Sequence, residues 1–325
     1  VINTFKSTIY HLHHAHETSR DNSTYSIFKK HQSYNDEDWY DHIRRNHDWG
    51  IPQDNIDLSL YKDYINESLL HVYTHSQKIR ITVCMVTYMR YDILLRSLEK
   101  YLSLNVPINM ILWINQVKSM PMNIKQRVDE LCSRFSGHSI MCSDRNMGTG
   151  YPRFMMLNKA YHEFKTDYVM TTDDDIIFNS DNELVLGATV LDQDKYKDYG
   201  GIGLWVNPEH PIVTKNDNKI NLVAPSEGFH DVDLLGAATM TIRRDVLEYC
   251  NCDPRYIIGL VDWDFSMSIL SKGWKLGLVC DDRFKPDNDP GQYKHNTEYK
   301  KCRMNKDIID NSKKLFNDKW GIQIK

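Results

Sequence analysis

The sequence predicts an α/β fold, a mostly parallel, Rossmann-like sheet covered by helices, on three observations. From Arg80 onward, short apolar runs of strand length alternate with stretches whose apolar residues recur at helical spacing. Glycines such as Gly137, Gly148 and Gly273 punctuate that alternation. Polar residues then fall where the predicted strands end, at Thr87, Asn115, Asp144 and Asp173. In open α/β sheets ligands bind outside the carboxyl ends of the strands, so these separate loops are expected to converge on one crevice.

The elements follow in order. Ile79 to Val86 reads as a buried strand, leading through Thr87-Tyr88-Met89-Arg90 into a helix whose Leu94, Leu98, Tyr101 and Leu102 mark one apolar face. Met110 to Ile114 is the second strand. Ile124, Val128, Leu131, Cys132 and Phe135 mark the next helix, with Gly137 as its stop, and Ser139 to Cys142 is a third short strand. A polar loop from Asp144 to Tyr151 precedes a helix from about Pro152 to Phe164, which delivers the chain to the apolar run Tyr168 to Thr172. Gly201 to Val206 and Met240 to Ile242 read as further strands, with a polar hairpin around Asn216-Asp217-Asn218 between them. A helix through Phe265, Ile269 and Leu270 stops at Gly273, Lys275 to Cys280 is a last strand, and a final helix from Asn305 to Phe316 is expected only to pack.

Composition narrows the function classes. With 325 residues, 41% hydrophobic and 26% charged, the chain is long enough for one large domain with a real core. A formal net charge of −4 supplies no broad basic field, which disfavours binding to a nucleic-acid backbone. No stretch approaches the roughly 18 apolar residues of a membrane span, so no transmembrane segment is expected in this chain. Seven scattered cysteines form no zinc-type CxxC pair; Cys84, Cys142 and Cys280 read as core thiols, and a reducing cytoplasm is the default location. Sequons at Asn22-Ser23-Thr24 and Asn66-Glu67-Ser68 leave a lumenal location open.

Residues 1–78 differ from the rest: nine of the fourteen histidines fall there and glycine is nearly absent, which suggests a mainly helical extension ahead of a domain over residues 79–325. His11, His13, His14 and His16 could share a helix face, but no carboxylate or cysteine completes an evident ligand set.

The chemistry concentrates in Asp173-Asp174-Asp175, which closes the run Tyr168 to Thr172 and is followed at once by Ile176-Ile177-Phe178. Carboxylates avoid half-buried strand ends because desolvating the charged form is costly, so a cluster there points to a cation or a hydrogen-bonded ligand. A magnesium- or manganese-like ion fits, since such hard cations take one or two protein carboxylates and leave other positions for water and phosphates. Solvated loop charges or helix-start residues are the ordinary alternative for an acidic triplet. A second acidic pair, Asp262 and Asp264, falls in the first turn of a predicted helix, where capping is the ordinary reading.

In this order the motifs resemble the GT-A glycosyltransferases, in particular the large family 2-type transferases that act on nucleotide-sugar donors. The resemblance covers about Arg80 to Asp282. It is carried by Val83 to Arg90 as the nucleotide-binding strand, Asp144-Arg145-Asn146-Met147-Gly148 as the Asn-x-Gly turn, and Asp173-Asp174-Asp175 as the DxD motif. Leu235-Gly236-Ala237-Ala238 matches the small-residue acceptor-side segment and Val261-Asp262-Trp263-Asp264 the "ED-x-D" element. The chain departs from the family at Met89-Arg90-Tyr91, where Asn-Arg-Pro is common, and at Val261, where Glu is common.

The resemblance implies a transferase that moves a sugar from a nucleotide-sugar donor to a hydroxyl of a carbohydrate or other acceptor, with Mn²⁺ or Mg²⁺. Thr87, Tyr88, Arg90, Asn146, Arg153, Asp173 and Asp174 would bind donor. Asp175 and His295 would ligate the metal. Asp262 would be the general base of an inverting transfer, with Trp263 and Asp264 toward the acceptor, although Trp263 as a packing anchor and Asp264 as a cap are open alternatives. A retaining enzyme of the same fold, a sugar nucleotidyltransferase and a non-catalytic carbohydrate-binding module are the rival readings.

Overall fold

The computed structural model describes residues 79–204, 212–216, 219–223, 226–236, 238–281, 286–288, 301–302, 305–322 and 324. The extension expected over residues 1–78 lies outside them, as does His295. Along the chain the elements run β1 (Ile81–Tyr88), α1 (Tyr91–Leu102), β2 (Ile108–Asn115), α2 (Met122–Cys132), β3 (Gly137–Cys142), α3 (Gly150–Glu163), β4 (Tyr168–Asp173) and β5 (Ile176–Ile177). Then follow α4 (Asp181–Leu191), β6 (Tyr199–Leu204), β7 (Ile212–Asn216), β8 (Lys219–Val223), β9 (Gly228–Val232), β10 (Thr239–Arg243), α5 (Val261–Ser271), β11 (Lys275–Cys280), β12 (Asp287–Asn288) and α6 (Lys306–Trp320).

Eight strands form one mixed sheet in the order β3-β2-β1-β4-β10-β6-β11-β9. β1, β2, β3 and β4 are mutually parallel, β6 and β11 pair in parallel, and β10 and β9 run against their neighbours. The predicted mostly parallel α/β sheet is therefore the observed one. The chain proceeds outward from β1 through β2 to β3 and then returns across β1 to β4, which makes the crevice between β1 and β4 a topological switch point. The register sets Val86 beside Asp173 there.

Side-chain alternation along β1 divides the core in two. Ile81, Val83 and Met85 join Leu94, Leu98 and Tyr101 of α1, Val128 and Leu131 of α2, and Leu184 of α4. Cys84 and Val86 point the other way, into a cluster with Met156 and Leu157 of α3, Phe265 and Ile269 of α5, and Phe316 of α6. Both faces of the central strands are thus covered, which is why β1 reads as a continuous apolar run rather than an alternation. Burying each such Leu or Phe contributes roughly 1.5–3 kcal/mol before entropy is counted.

Several expectations need adjusting. α2 stops at Cys132, and Gly137 opens β3 instead of ending the helix, because Ser136 already donates its amide to Ile108 O (3.0 Å) and starts the sheet pairing. Cys142 is exposed, since β3 is the sheet's edge, whereas Cys84 and Cys280 are buried as expected. The final helix runs on to Trp320. The Asn305 side chain caps its start, accepting from the amides of Asp307 (3.0 Å) and Ile308 (3.3 Å), and Gly321 ends it at φ +66°. Among the described residues no helix is long and apolar enough to cross a membrane.

Candidate active site

The acidic triplet begins as the last residue of β4 and turns inward. Asp173 keeps its side chain 38% exposed, while Asp174 is fully buried and Asp175 is nearly so. Buried carboxylates require compensation, and β1 with the turn after it supplies most of it. Thr87 donates its hydroxyl to Asp174 Oδ2 at 2.6 Å. The Arg90 guanidinium bridges the pair, with Nη2 on Asp174 Oδ1 and Nη1 on Asp175 Oδ2 at 2.8 Å. Ser97 of α1 donates to the Asp174 carbonyl. On the other side Arg153 of α3, itself buried, meets Asp173 Oδ1 at 2.7 Å.

Electrostatics follow from this burial. Burial pushes the Asp174 carboxyl up to about 7; Arg90 and the Thr87 hydrogen bond pull it down, and the neighbouring Asp175 and Asp173 push it further up. Asp175 is likewise raised by burial, against the pull of Arg90, and the Asp173 charge adds to the rise. Asp173 and Asp175 therefore feel one another across the turn. The site concentrates negative charge and has already drawn two guanidinium groups onto it.

That donor set suits a hard divalent cation. Two carboxylates, one of them open to solvent, can each offer an oxygen, and the guanidinium lying on Asp175 marks where a positive charge is demanded. Among the described residues no group of three or more His, Cys, Asp or Glu side chains gathers to hold a metal, so water and phosphate oxygens would complete the coordination.

The Asn146-Met147-Gly148 turn is stitched to the same end of the sheet by Asn115, the last residue of β2. Asn115 Oδ1 accepts from the Met147 amide (2.9 Å) and its Nδ2 donates to Gly148 O (2.9 Å), while Asn146 Oδ1 accepts from the Gly148 amide (2.9 Å). Gly148 has φ +74°, and a Cβ there would stand 2.1 Å from Ile257 O, so no other residue fits. The amides of Thr149 and Gly150 donate to Ile257 O (2.8 Å) and Tyr256 O (3.0 Å), which ties the turn to the segment leading into α5.

α5 carries the second acidic pair in its first turn. Asp262 is half-buried in its first turn, where its Oδ1 accepts from the Trp263 amide at 3.1 Å. A Cβ on Gly236 would lie 3.9 Å from Asp262 Oδ2, so the small residue leaves room beside that carboxylate. Leu235 is held there by Ser266, whose hydroxyl accepts the Leu235 amide (3.0 Å) and donates to Asp262 O (2.8 Å). The Asn146 turn opens α3, whose Arg153 meets Asp173, so the segment leading into α5 is tied to the element that braces the triplet.

Not every candidate faces a substrate. Thr87 and Asp174 are buried and bonded to each other, so their direct role is to brace the triplet. Asp264, expected toward the acceptor, is fully buried and turned to Lys319 and Trp320 of α6; it also does not cap α5, whose N-cap position is Leu260 and has no side-chain cap. Trp263 is partly buried and packs edge-on to Phe316 at 6.4 Å. Tyr88 ends β1 half-buried. Sequence reading missed Ser97, Lys319 and Trp320, which have no local signal because their partners lie far away in the chain.

No family model and no curated protein matches the sequence. Among solved structures, the chain is similar to the mannosyltransferase PcManGT from Pyrobaculum calidifontis in complex with GDP-Man and Mn²⁺, at 11% identity and a TM-score of 0.47 over 73% of this chain and 68% of that one. It is also similar to S. aureus TarS 1-349 (13% identity, TM-score 0.47, 66% of this chain and 61% of that one). A longer S. aureus TarS structure is matched at 13% identity and a TM-score of 0.49, over 74% of this chain and 39% of that one.

Proposed function

We propose that the chain is a GT-A glycosyltransferase that uses a divalent cation to move a sugar from a nucleotide-sugar donor to a hydroxyl acceptor, with inversion. One observation carries this reading: the acidic triplet sits at the β1/β4 switch point, braced by Arg90 and Arg153, and the helix that supplies Arg153 starts from a turn bonded to the segment leading into Asp262.

Asp173 and Asp175 would hold the Mn²⁺ or Mg²⁺, whose charge offsets that developing on the nucleoside-diphosphate leaving group. Tyr88 and the Asn146 turn flank the donor, and Arg153 orients Asp173. Arg90 holds Asp175 in place by sharing its guanidinium with Asp174. Asp262 takes the proton of the acceptor hydroxyl as that oxygen attacks the anomeric carbon, and the space beside Gly236 is where the hydroxyl enters. Trp263 offers its exposed edge to the acceptor, while His295 remains a candidate metal ligand outside the described residues.

A sugar nucleotidyltransferase needs a glycine-rich triphosphate loop after its first strand. β1 passes to α1 through only Met89 and Arg90, too short a link for such a loop. The test is a panel of nucleotide sugars incubated with and without Mn²⁺. Release of nucleoside diphosphate from one donor, dependent on metal, is expected, and release of pyrophosphate from a nucleoside triphosphate would overturn the assignment. With an acceptor in hand, retention of the anomeric configuration would exclude Asp262 as an inverting base.

A further inference from the structure

Two residues beyond Asp262, the carboxylate of Asp264 is fully buried. A buried carboxylate is costly unless it is compensated, and here the principal compensation comes from one distant element. Oδ1 accepts from Trp320 Nε1 at 2.8 Å and lies 2.8 Å from the Lys319 ammonium, both on α6, with a longer contact of 3.4 Å from the Tyr256 hydroxyl. Oδ2 is buried and has no hydrogen-bond partner among the described residues. The clamp from α6 therefore has no substitute on the other oxygen.

The same helix grips the chain just before α5. Lys319 also reaches Asp253 Oδ2 at 3.3 Å, and Ser312 donates to Ile258 O at 2.7 Å. Between these grips and Asp264 lie Gly259 and Leu260, with φ of +73° and +59°. Leu260 is an L-residue in the left-handed region and lacks a side-chain cap, a conformation that persists only where the surroundings over-determine it. The first helical bond, Asp264 N to Leu260 O at 2.8 Å, joins the strained residue directly to the clamped one.

We infer that Asp264 is a positioning residue and that Lys319 and Trp320 are its clamp, so that the C-terminal helix fixes the strained turn that aims Asp262. The inference rests on Asp262 being the base of the proposed transfer. Because Asp262 projects from that turn, loosening it displaces the carboxylate, and a displacement of about 1 Å costs on the order of 100-fold in rate. Donor binding, built on β1, β4 and α3, is left alone.

Lys319→Met, Lys319→Arg and Trp320→Phe in the full chain test this, with hydrogen exchange and transfer kinetics read together. In Lys319→Met the amides of residues 261–264 should exchange about tenfold faster or more, the change that losing a hydrogen bond to a charged group produces, while β1 and β4 exchange as before. Transfer kcat should fall by roughly 10- to 100-fold with donor KM unchanged, and Lys319→Arg should recover both. Trp320→Phe keeps an aromatic ring of smaller size and removes the indole N–H, so it should show the same pattern more weakly if Lys319→Met fails to fold. Unchanged exchange at residues 261–264, a uniform rise across the domain, or failure of Lys319→Arg to recover would each overturn the clamp. If Asp262→Asn transfers at the wild-type rate, the base assignment falls by itself, and the exchange data still decide the clamp.

Discussion

Arg90→Met asks how much of the site's stability depends on one guanidinium. Arg90 is 8% exposed at its side chain, and its two partners, Asp174 and Asp175, are 0% and 7% exposed. Removing one partner of a buried ion pair costs about 3–5 kcal/mol, because the other is left buried and uncompensated. Methionine restores the apolar stem but neither bond, and two carboxylates lose their partner at once, which places the expectation in the upper half of that range. For a domain of this size each kcal/mol moves Tm by about 2–4 °C, so a fall of roughly 8–20 °C is expected. Thermal unfolding followed by tryptophan fluorescence measures it. Arg80 provides the internal comparison: it meets Asp167 at 3.0 Å with both side chains more than half exposed, and an exposed pair is worth at most about 1 kcal/mol. A loss in Arg90→Met no greater than that in Arg80→Met would refute the picture of a dry, charge-compensated triplet.

Three further outcomes are expected. Asp262→Asn should lower transfer by roughly 10²–10⁴-fold while donor affinity by calorimetry stays within about twofold; full turnover would remove Asp262 as the base. Gly148→Ala should cost at least about 2 kcal/mol in thermal unfolding, since the turn is left-handed and Ile257 O stands 2.1 Å from the new Cβ; a neutral result would contradict the close approach of the Asn146 turn to the 256–258 segment. Burial pushes the Glu183 carboxyl up to about 7, although the amides of Asn179 and Ser180 hold it down. A carboxyl raised in the folded state contributes stability that is fullest below its unfolded value of 4.5 and is lost as pH rises through about 7. The fall in Tm between pH 5 and pH 8 should therefore be smaller in Glu183→Gln than in the wild type, and equal falls would show that Glu183 is not a source.

The parts of the fold that were legible in the sequence are those with a period. Leu94, Leu98 and Tyr101 announced α1 because one face of that helix is buried and the other is wet, and all three are in the core. α4 gave no such signal, since Leu184 to Leu191 is buried throughout and a helix apolar all round has no face to read. Its start was readable in another way. Ser180 accepts the Glu183 amide at 3.2 Å and Glu183 accepts the Asn179 amide at 2.6 Å, the reciprocal cap that Ser-x-x-Glu advertises. β9, Gly-Phe-His-Asp-Val, stayed hidden because an edge strand with polar residues outward resembles a loop.

The candidate site divides along the same line. The carboxylates were visible as a cluster at a strand end, and the return of the chain across β1 explains why that strand end matters. Which of the three faces outward was not legible, because it depends on Arg90 and Thr87 claiming Asp174 from 84 and 87 residues away. The inward turn of Asp264 was hidden for the same reason: its partners, Lys319 and Trp320, belong to a helix expected only to pack.

The central claim is that the triplet holds a donor diphosphate through a divalent cation, and calorimetry with a nucleoside diphosphate tests it most directly. The wild type should bind in the presence of Mn²⁺ and lose that affinity when the metal is chelated, and Asp175→Ala should not bind even with Mn²⁺ present. Equal affinity with and without the metal, or undiminished affinity in Asp175→Ala, would contradict it.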